Sequence, residues 1–168
     1  MHIRREEVPD VPRVRALNLA AFDSATEADL VDALRAGAAD VITLVAVEDD
    51  AIVGHIMWSP VRLTGAEDVR AMALAPMAVM PERQRAGIGS ALVRGGLAEC
   101  RRHGVDAVFV VGHPAYYPQF GFGLASRFGI ACEFDVPDEA FMALELAAGA
   151  LGGRTGARVV FHEAFRAA

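Results

Sequence analysis

The residues best suited to chemistry stand at one junction in the chain. An apolar run from Met77 ends at Pro81, and Gln84, Arg85, Gly87 and Gly89 follow just as an amphipathic helical pattern begins. Glycines at a strand-to-helix junction let backbone N–H groups approach a ligand closely, and a helix N-terminus attracts anions. From Glu82 to Arg102 the chain carries five arginines against two acids, a local +3 within a net charge of −6, which leaves −9 for the remaining residues. A basic island around an exposed helix start is the pattern of a phosphate site.

Two common phosphate loops are excluded. A P-loop needs a lysine and a hydroxyl after its second glycine. All sixteen basic residues here are arginine. A dinucleotide fingerprint needs Gly-x-Gly-x-x-Gly, whereas Gly87-x-Gly89 is followed by Leu92. What remains is Gln84-x-x-Gly87-x-Gly89 behind a strand that ends in Ala78-Val79-x-Pro81. Taken alone, those glycines also suit a turn that merely packs a helix on a sheet.

The elements that must position this loop read as mixed α and β. Residues 2–7 suit a short first strand. Asp10 is placed to cap a helix with Pro12 in its first turn and Val11, Val14, Leu17 and Ala21 on one face. Ser24 and Glu27 have the spacing of a capping box for a second helix, with Leu30, Val31 and Leu34 inward and Gly37 at its end. Residues 41–47 and 51–63 read as a strand pair across the Glu48-Asp49-Asp50 turn. Residues 71–80 form a buried fourth strand. A helix from about Gly87 to His103 carries Ile88, Ala91, Leu92 and Ala98 inward, and Gly104 stops it. Residues 106–112 suit a strand buried on both faces, and 141–146 and 157–165 supply two more.

Composition narrows the class. At 168 residues, with 54% hydrophobic and 23% charged side chains, the chain suits one globular domain. Its acidic balance argues against broad nucleic-acid or membrane-surface binding. Cys100 and Cys132 lack metal-ligand spacing and do not make a disulfide scaffold, so no metal is expected. The N-terminal residues contain no apolar signal core, and the expected compartment is the cytoplasm.

A second segment gives the glycine loop its meaning. Tyr117-Pro-Gln-Phe-Gly121-Phe122 follows the fifth strand. Together with Gln84-x-x-Gly87-x-Gly89 after the fourth, it resembles the GCN5-related N-acetyltransferase (GNAT) superfamily. GHPAYYPQFGF (112–122) and LAPMAVMPERQRAGIG (74–89) look more specifically like its YhbS-like predicted acetyltransferase subgroup. The resemblance implies one N-acetyltransferase domain over 1–168. Its fold is α/β, with a mixed, mostly antiparallel central sheet splayed between strands 4 and 5 and flanked by helices. It implies acetyl-CoA as cosubstrate. Met77, Ala78 and Val79 match residues whose backbone pairs with the pantetheine arm. Gln84 opens the motif, and Arg85, Ala86, Gly87, Ile88, Gly89 and Ser90 match the loop and helix turn that cradle the pyrophosphate. Arg83 and Arg85 add positive charge there.

The implied reaction moves an acetyl group from a thioester to an amine. The developing negative oxygen needs a fixed donor, which the resemblance places at a backbone N–H near Val79. The departing thiolate needs a proton, and Tyr117 occupies the matching position, with Tyr116 as its rival one residue away. Several relatives carry a glutamate base on the fourth strand, yet residues 71–81 contain no ionisable side chain until Pro81 closes the run. His113, and after it His55, are the candidate bases by titration range. Glu6, Glu7, Asp23, Glu27, Asp29 and Asp32 suit either a wall for a cationic amine or ordinary solvated helix faces. Met57 and Trp58 suit either an acceptor pocket or the core. The expected acceptor is a primary amine of a small molecule or peptide, relatives of this kind often forming homodimers. The competing expectation is an acyl-CoA-binding sensor without catalysis.

Overall fold

Residues 1–168 are described by a computed structural model. The chain divides into two compact units, one of residues 1–59, 75–99 and 163–168, the other of residues 60–74 and 100–162.

The first unit is built on antiparallel strands. β1 (His2–Arg5) pairs with β2 (Ile42–Glu48), and β2 pairs with β3 (Ala51–Leu63) from Ile42↔Trp58 to Glu48↔Ala51. β4 (Ala71–Val79) lies next to β3 in the strand order. The β2–β3 turn is tight, with Asp49 at φ 50° and Asp50 at φ 63°, conformations that Asp tolerates better than most residues. α1 (Val11–Ala21) and α2 (Thr26–Gly37) cover one face. Their Val14, Leu17, Leu30, Val31 and Leu34 form one buried cluster with Val45, Val47, Ile52, Met57 and Ala78. Each of the larger of these side chains contributes about 1.5–3 kcal/mol by leaving water.

α3 (Ile88–Arg102) takes the opposite face. Alternation along β2 puts Leu44 and Ala46 on that side and Val45 on the other. The approach is close: a Cβ on Gly54 would stand 2.8 Å from Ile88 Cγ2, and one on Gly96 would overlap the Trp58 indole. Glycine at these two positions lets the helix backbone settle on the sheet.

In the second unit β4 begins parallel to β5 (Ala107–Val111), with pairs from Ala71↔Ala107 to Ala73↔Phe109. β5 pairs antiparallel with β8 (Phe141–Glu145), and β8 with the short β6 (Gly123–Leu124). β9 (Arg158–Val160) pairs with the end of β3 and with β7 (Ala131–Cys132). One parallel pair, β4–β5, stands within a mostly antiparallel mixed sheet flanked by helices, which is the expected fold class. No helix is long and apolar enough to cross a membrane.

Several local expectations are corrected. The Ser24–Glu27 capping box does not form: α2 starts at Thr26 behind Ala25, and Ser24 Oγ instead accepts the Thr26 N–H. Asp10 precedes α1 but does not cap it, because its buried carboxylate accepts from the Arg4 guanidinium at 2.6 Å and the Glu7 N–H at 2.8 Å. Ala98 faces outward, and Leu97 and Cys100 take the inward positions. The last strand stops at Val160. Beyond it the Phe161 N–H donates to the Glu133 carboxylate at 2.8 Å, and Glu163–Arg166 coil into a 3₁₀ turn.

Candidate active site

In the first unit, the end of β4 offers backbone groups on one edge. The Met80 N–H donates to the Val53 carbonyl at 2.9 Å, as an antiparallel neighbour of β3 should. Strand alternation then turns the N–H and C=O of Val79 and Met77 away from β3. The register with β5 ends at Ala73, so β4 continues from Leu74 to Val79 beyond its last β5 pair. Ala78 points into the core, while Met77 and Val79 are half-buried. This is the geometry of an edge that accepts a strand-like partner.

Local hydrogen bonds shape the loop after β4. Pro81–Arg83 form a 3₁₀ turn in which the Arg83 N–H donates to the Met80 carbonyl at 2.8 Å. The Gln84 side chain reaches back and donates to the Val79 carbonyl at 3.2 Å. Arg85 (φ 62°) and Gly87 (φ 85°) both adopt left-handed conformations, which glycine accepts freely and arginine does at some cost. Gln84, Arg85, Ala86 and Gly87 are exposed, and a Cβ built on Gly87 would meet no atom within 4 Å. Ile88 is buried and anchors the helix start. Gly87 also accepts the Ala91 N–H at 3.1 Å, where the helical ladder begins, so the N–H groups of Gly87, Ile88 and Gly89 precede it. Gly89 and Ser90 are half-buried in this first turn. N–H groups that begin a helix, at its positive end, suit an anion.

Arg83, expected to add charge at the loop, carries an ion pair. Its Nη2 is 2.7 Å from Glu48 Oε2 at the end of β2, and the side chain remains partly exposed.

The second unit carries the aromatic segment. His113, exposed after β5, accepts the Tyr116 N–H through its carbonyl at 3.1 Å, and a 3₁₀ turn over Tyr117–Phe120 follows. Tyr117 is buried, edge-on to Tyr116 at 5.1 Å and to Phe122 at 5.7 Å. Burial, helped by neighbouring Tyr116, pushes its phenol up to about 12. A phenol so held keeps its proton at neutral pH, as a proton donor must. Tyr116 is half-buried and packs on Phe120. Gly112 is essential to this arrangement, because a Cβ there would overlap the Tyr117 ring. The glycine before His113-Pro114 was visible in the sequence, but its contact was not.

Other candidates leave the site. His55 is fully buried in the first unit, between Thr43 Oγ1 at 2.9 Å and Asn18 Nδ2 at 3.5 Å, with Glu6 Oε1 at 3.9 Å. Burial first, and then the charge of Arg35, push its imidazole down to about 3, so it is a neutral structural group and not a base. Met57 and Trp58 belong to the core. Half of the early acids are paired: Arg35 meets Glu6 and Asp32, and Arg15 meets Asp29 and Asp32. No group of three His, Cys, Asp or Glu residues could hold a metal ion. A cavity of about 570 Å³ in the first unit is lined by Leu17, Ile52, Met80 and the rim residues Arg13 and Asp50, none of them in the glycine loop.

Comparison with known proteins identifies the family. Residues 2–125 match the family described as Acetyltransferase (GNAT) domain. The chain is 37% identical over 163 residues to the uncharacterized N-acetyltransferase YhbS of Escherichia coli (strain K12), covering 96% of each chain. A crystal structure of the Escherichia coli GNAT family N-acetyltransferase YhbS in complex with CoA superposes with a TM-score of 0.91 at 36% identity, over 98% of this chain and 91% of that one. A GNAT family acetyltransferase from Brucella melitensis in complex with acetyl-CoA gives a TM-score of 0.80 at 35% identity, over 98% and 97%.

Proposed function

Because the chain belongs to the GNAT acetyltransferase family, we propose that it transfers an acetyl group from acetyl-CoA to a primary amine of a small molecule or peptide. The observation that carries this reading is the loop from Gln84 to Ser90, with open space before Gly87 at the start of α3. The related structures that hold CoA and acetyl-CoA support it. We read 1–168 as one catalytic domain. The free thiols of Cys100 and Cys132 suit a reducing, cytoplasmic setting.

Acetyl-CoA supplies an activated acyl group as its thioester. In the proposed mechanism the N–H groups of Gly87, Ile88 and Gly89, with Arg85, hold the pyrophosphate, and the edge of Met77, Ala78 and Val79 aligns the pantetheine arm. The Val79 N–H stabilises the oxygen that gains charge as the amine nitrogen forms its bond to the acyl carbon. Tyr117 gives its proton to the sulfur as the carbon–sulfur bond breaks. The proton released by the amine passes to water or to His113. Thiol appearance, followed with a panel of amines, tests the reading: release dependent on one amine class supports transfer, and no release with any amine counts against it.

One observation favours the alternative of a non-catalytic acyl-CoA sensor: residues 71–81 offer no ionisable side chain, and His55 is sealed in the core. Tyr117→Phe separates the two readings. It should slow transfer and leave acetyl-CoA binding intact in an enzyme.

A further inference from the structure

Glu48 is an acid at the edge of a loop built for an anion, and by charge alone it should weaken that loop. Its surroundings give it a different task. It ends β2, and its Oε2 accepts from Arg83 Nη2 at 2.7 Å. Arg83 Nε is buried and finds no acceptor, while the side chain as a whole stays 41% exposed, so the guanidinium lies along the surface beside Glu48. Arg83 is also the last residue of the Pro81–Arg83 turn, one residue before the Gln84 side chain that bonds Val79. The next residues must hold Arg85 at φ 62° and Gly87 at φ 85°. Ordering backbone residues costs conformational entropy, so a tether at the head of the loop lowers the cost of presenting its N–H groups.

We propose that Glu48 and Arg83 form a positioning pair that pre-shapes the cofactor loop, and that Arg83 is not itself a phosphate ligand. The proposal rests on the reading of that loop as an acyl-CoA site. An exposed ion pair alone has a modest effect, so the readout is loop order and ligand affinity rather than global stability.

The test compares wild type with Glu48→Gln, Arg83→Gln and the double variant. Hydrogen exchange on the ligand-free protein should show faster exchange at residues 82–88 in all three variants, with the rest of the chain unchanged. Titration with acetyl-CoA should show affinity about fivefold weaker in each single variant, and the double variant no weaker than either. The loss should appear in KM for acetyl-CoA more than in kcat. Tighter binding by Glu48→Gln would show that Glu48 only repels the ligand and would overturn the proposal. So would additive losses, which would mark Arg83 as a direct ligand, or unchanged exchange in the loop. If wild type bound no acetyl-CoA the cofactor reading would fall, while the exchange data would still decide whether the pair shapes the loop.

Discussion

The ring of Tyr117 packs against the backbone of Gly112 so closely that a Cβ at Gly112 would overlap Cε2 and stand 3.0 Å from Cδ2. The ring is hemmed on its other sides by Tyr116 and Phe122. Gly112→Ala should therefore displace the phenol while costing about 1–3 kcal/mol of stability from overpacking. Transfer should fall by a factor of ten or more with acetyl-CoA binding retained. In a Tyr117→Phe background the same substitution should have little further effect on turnover, because the hydroxyl it misplaces is already gone. Full additivity would separate Gly112 from the tyrosine's role.

Tyr117→Phe should itself lower kcat by about a hundredfold, the usual contribution of a positioned acid. Burial raises the phenol to about 12, which fixes the sign of the pH effects. Between pH 10 and 12 the unfolded chain has lost this proton and the folded one keeps it. Stability is thus fully present below pH 10 and falls by about 2–3 kcal/mol as pH rises to 12. Denaturant melts of wild type and Tyr117→Phe across that window should differ in slope. The kcat profile should show no falling limb from this tyrosine at pH 10, its ordinary value.

His55 gives the opposite window. Its imidazole titrates near 3 when folded, against 6.5 in the free side chain. Below pH 6.5 the unfolded chain takes up a proton that the folded core refuses. Stability therefore falls as pH drops from 6.5 towards 3, by up to about 1.4 kcal/mol per pH unit. Thr43, Asn18, Glu6 and Arg35 surround the ring or its field, and none of them offsets its burial. His55→Gln, which can retain a bond to Thr43, should flatten this acid slope without changing turnover at neutral pH. An unchanged slope would assign the acid sensitivity to other groups.

The parts legible in the sequence were those set by short-range pattern. The span of β3 from Ala51 to Leu63, the tight Asp49-Asp50 turn and the junction at Gly87 follow from alternation and backbone chemistry. The two motifs also pointed to the family before any fold was known. What pattern could not show were pairings between distant segments. Asp10 looked like a helix cap because capping is local, but Arg4 captured it. The acids of α2 suited either an amine wall or solvated helix faces, and the pairing of Asp29 and Asp32 with Arg15 and Arg35 was not visible. His55 looked titratable because its burial depends on α1, β2 and β3 together. Arg83 showed its charge in the sequence, but its ion pair with Glu48 at the end of β2 joins segments 35 residues apart and was not visible there.

The most direct measurement is a calorimetric titration of acetyl-CoA into wild type and Gly87→Asp. The side chain at position 87 would enter open space, so the fold should tolerate it apart from the strain of a left-handed aspartate. Its carboxylate would stand where the pyrophosphate is proposed to sit. Wild type should bind, and the variant should bind about a hundredfold more weakly, the equivalent of roughly one strong charge-assisted hydrogen bond. A folded wild type that does not bind acetyl-CoA, or a variant that binds it equally well, would contradict the assignment of this loop as the cofactor site.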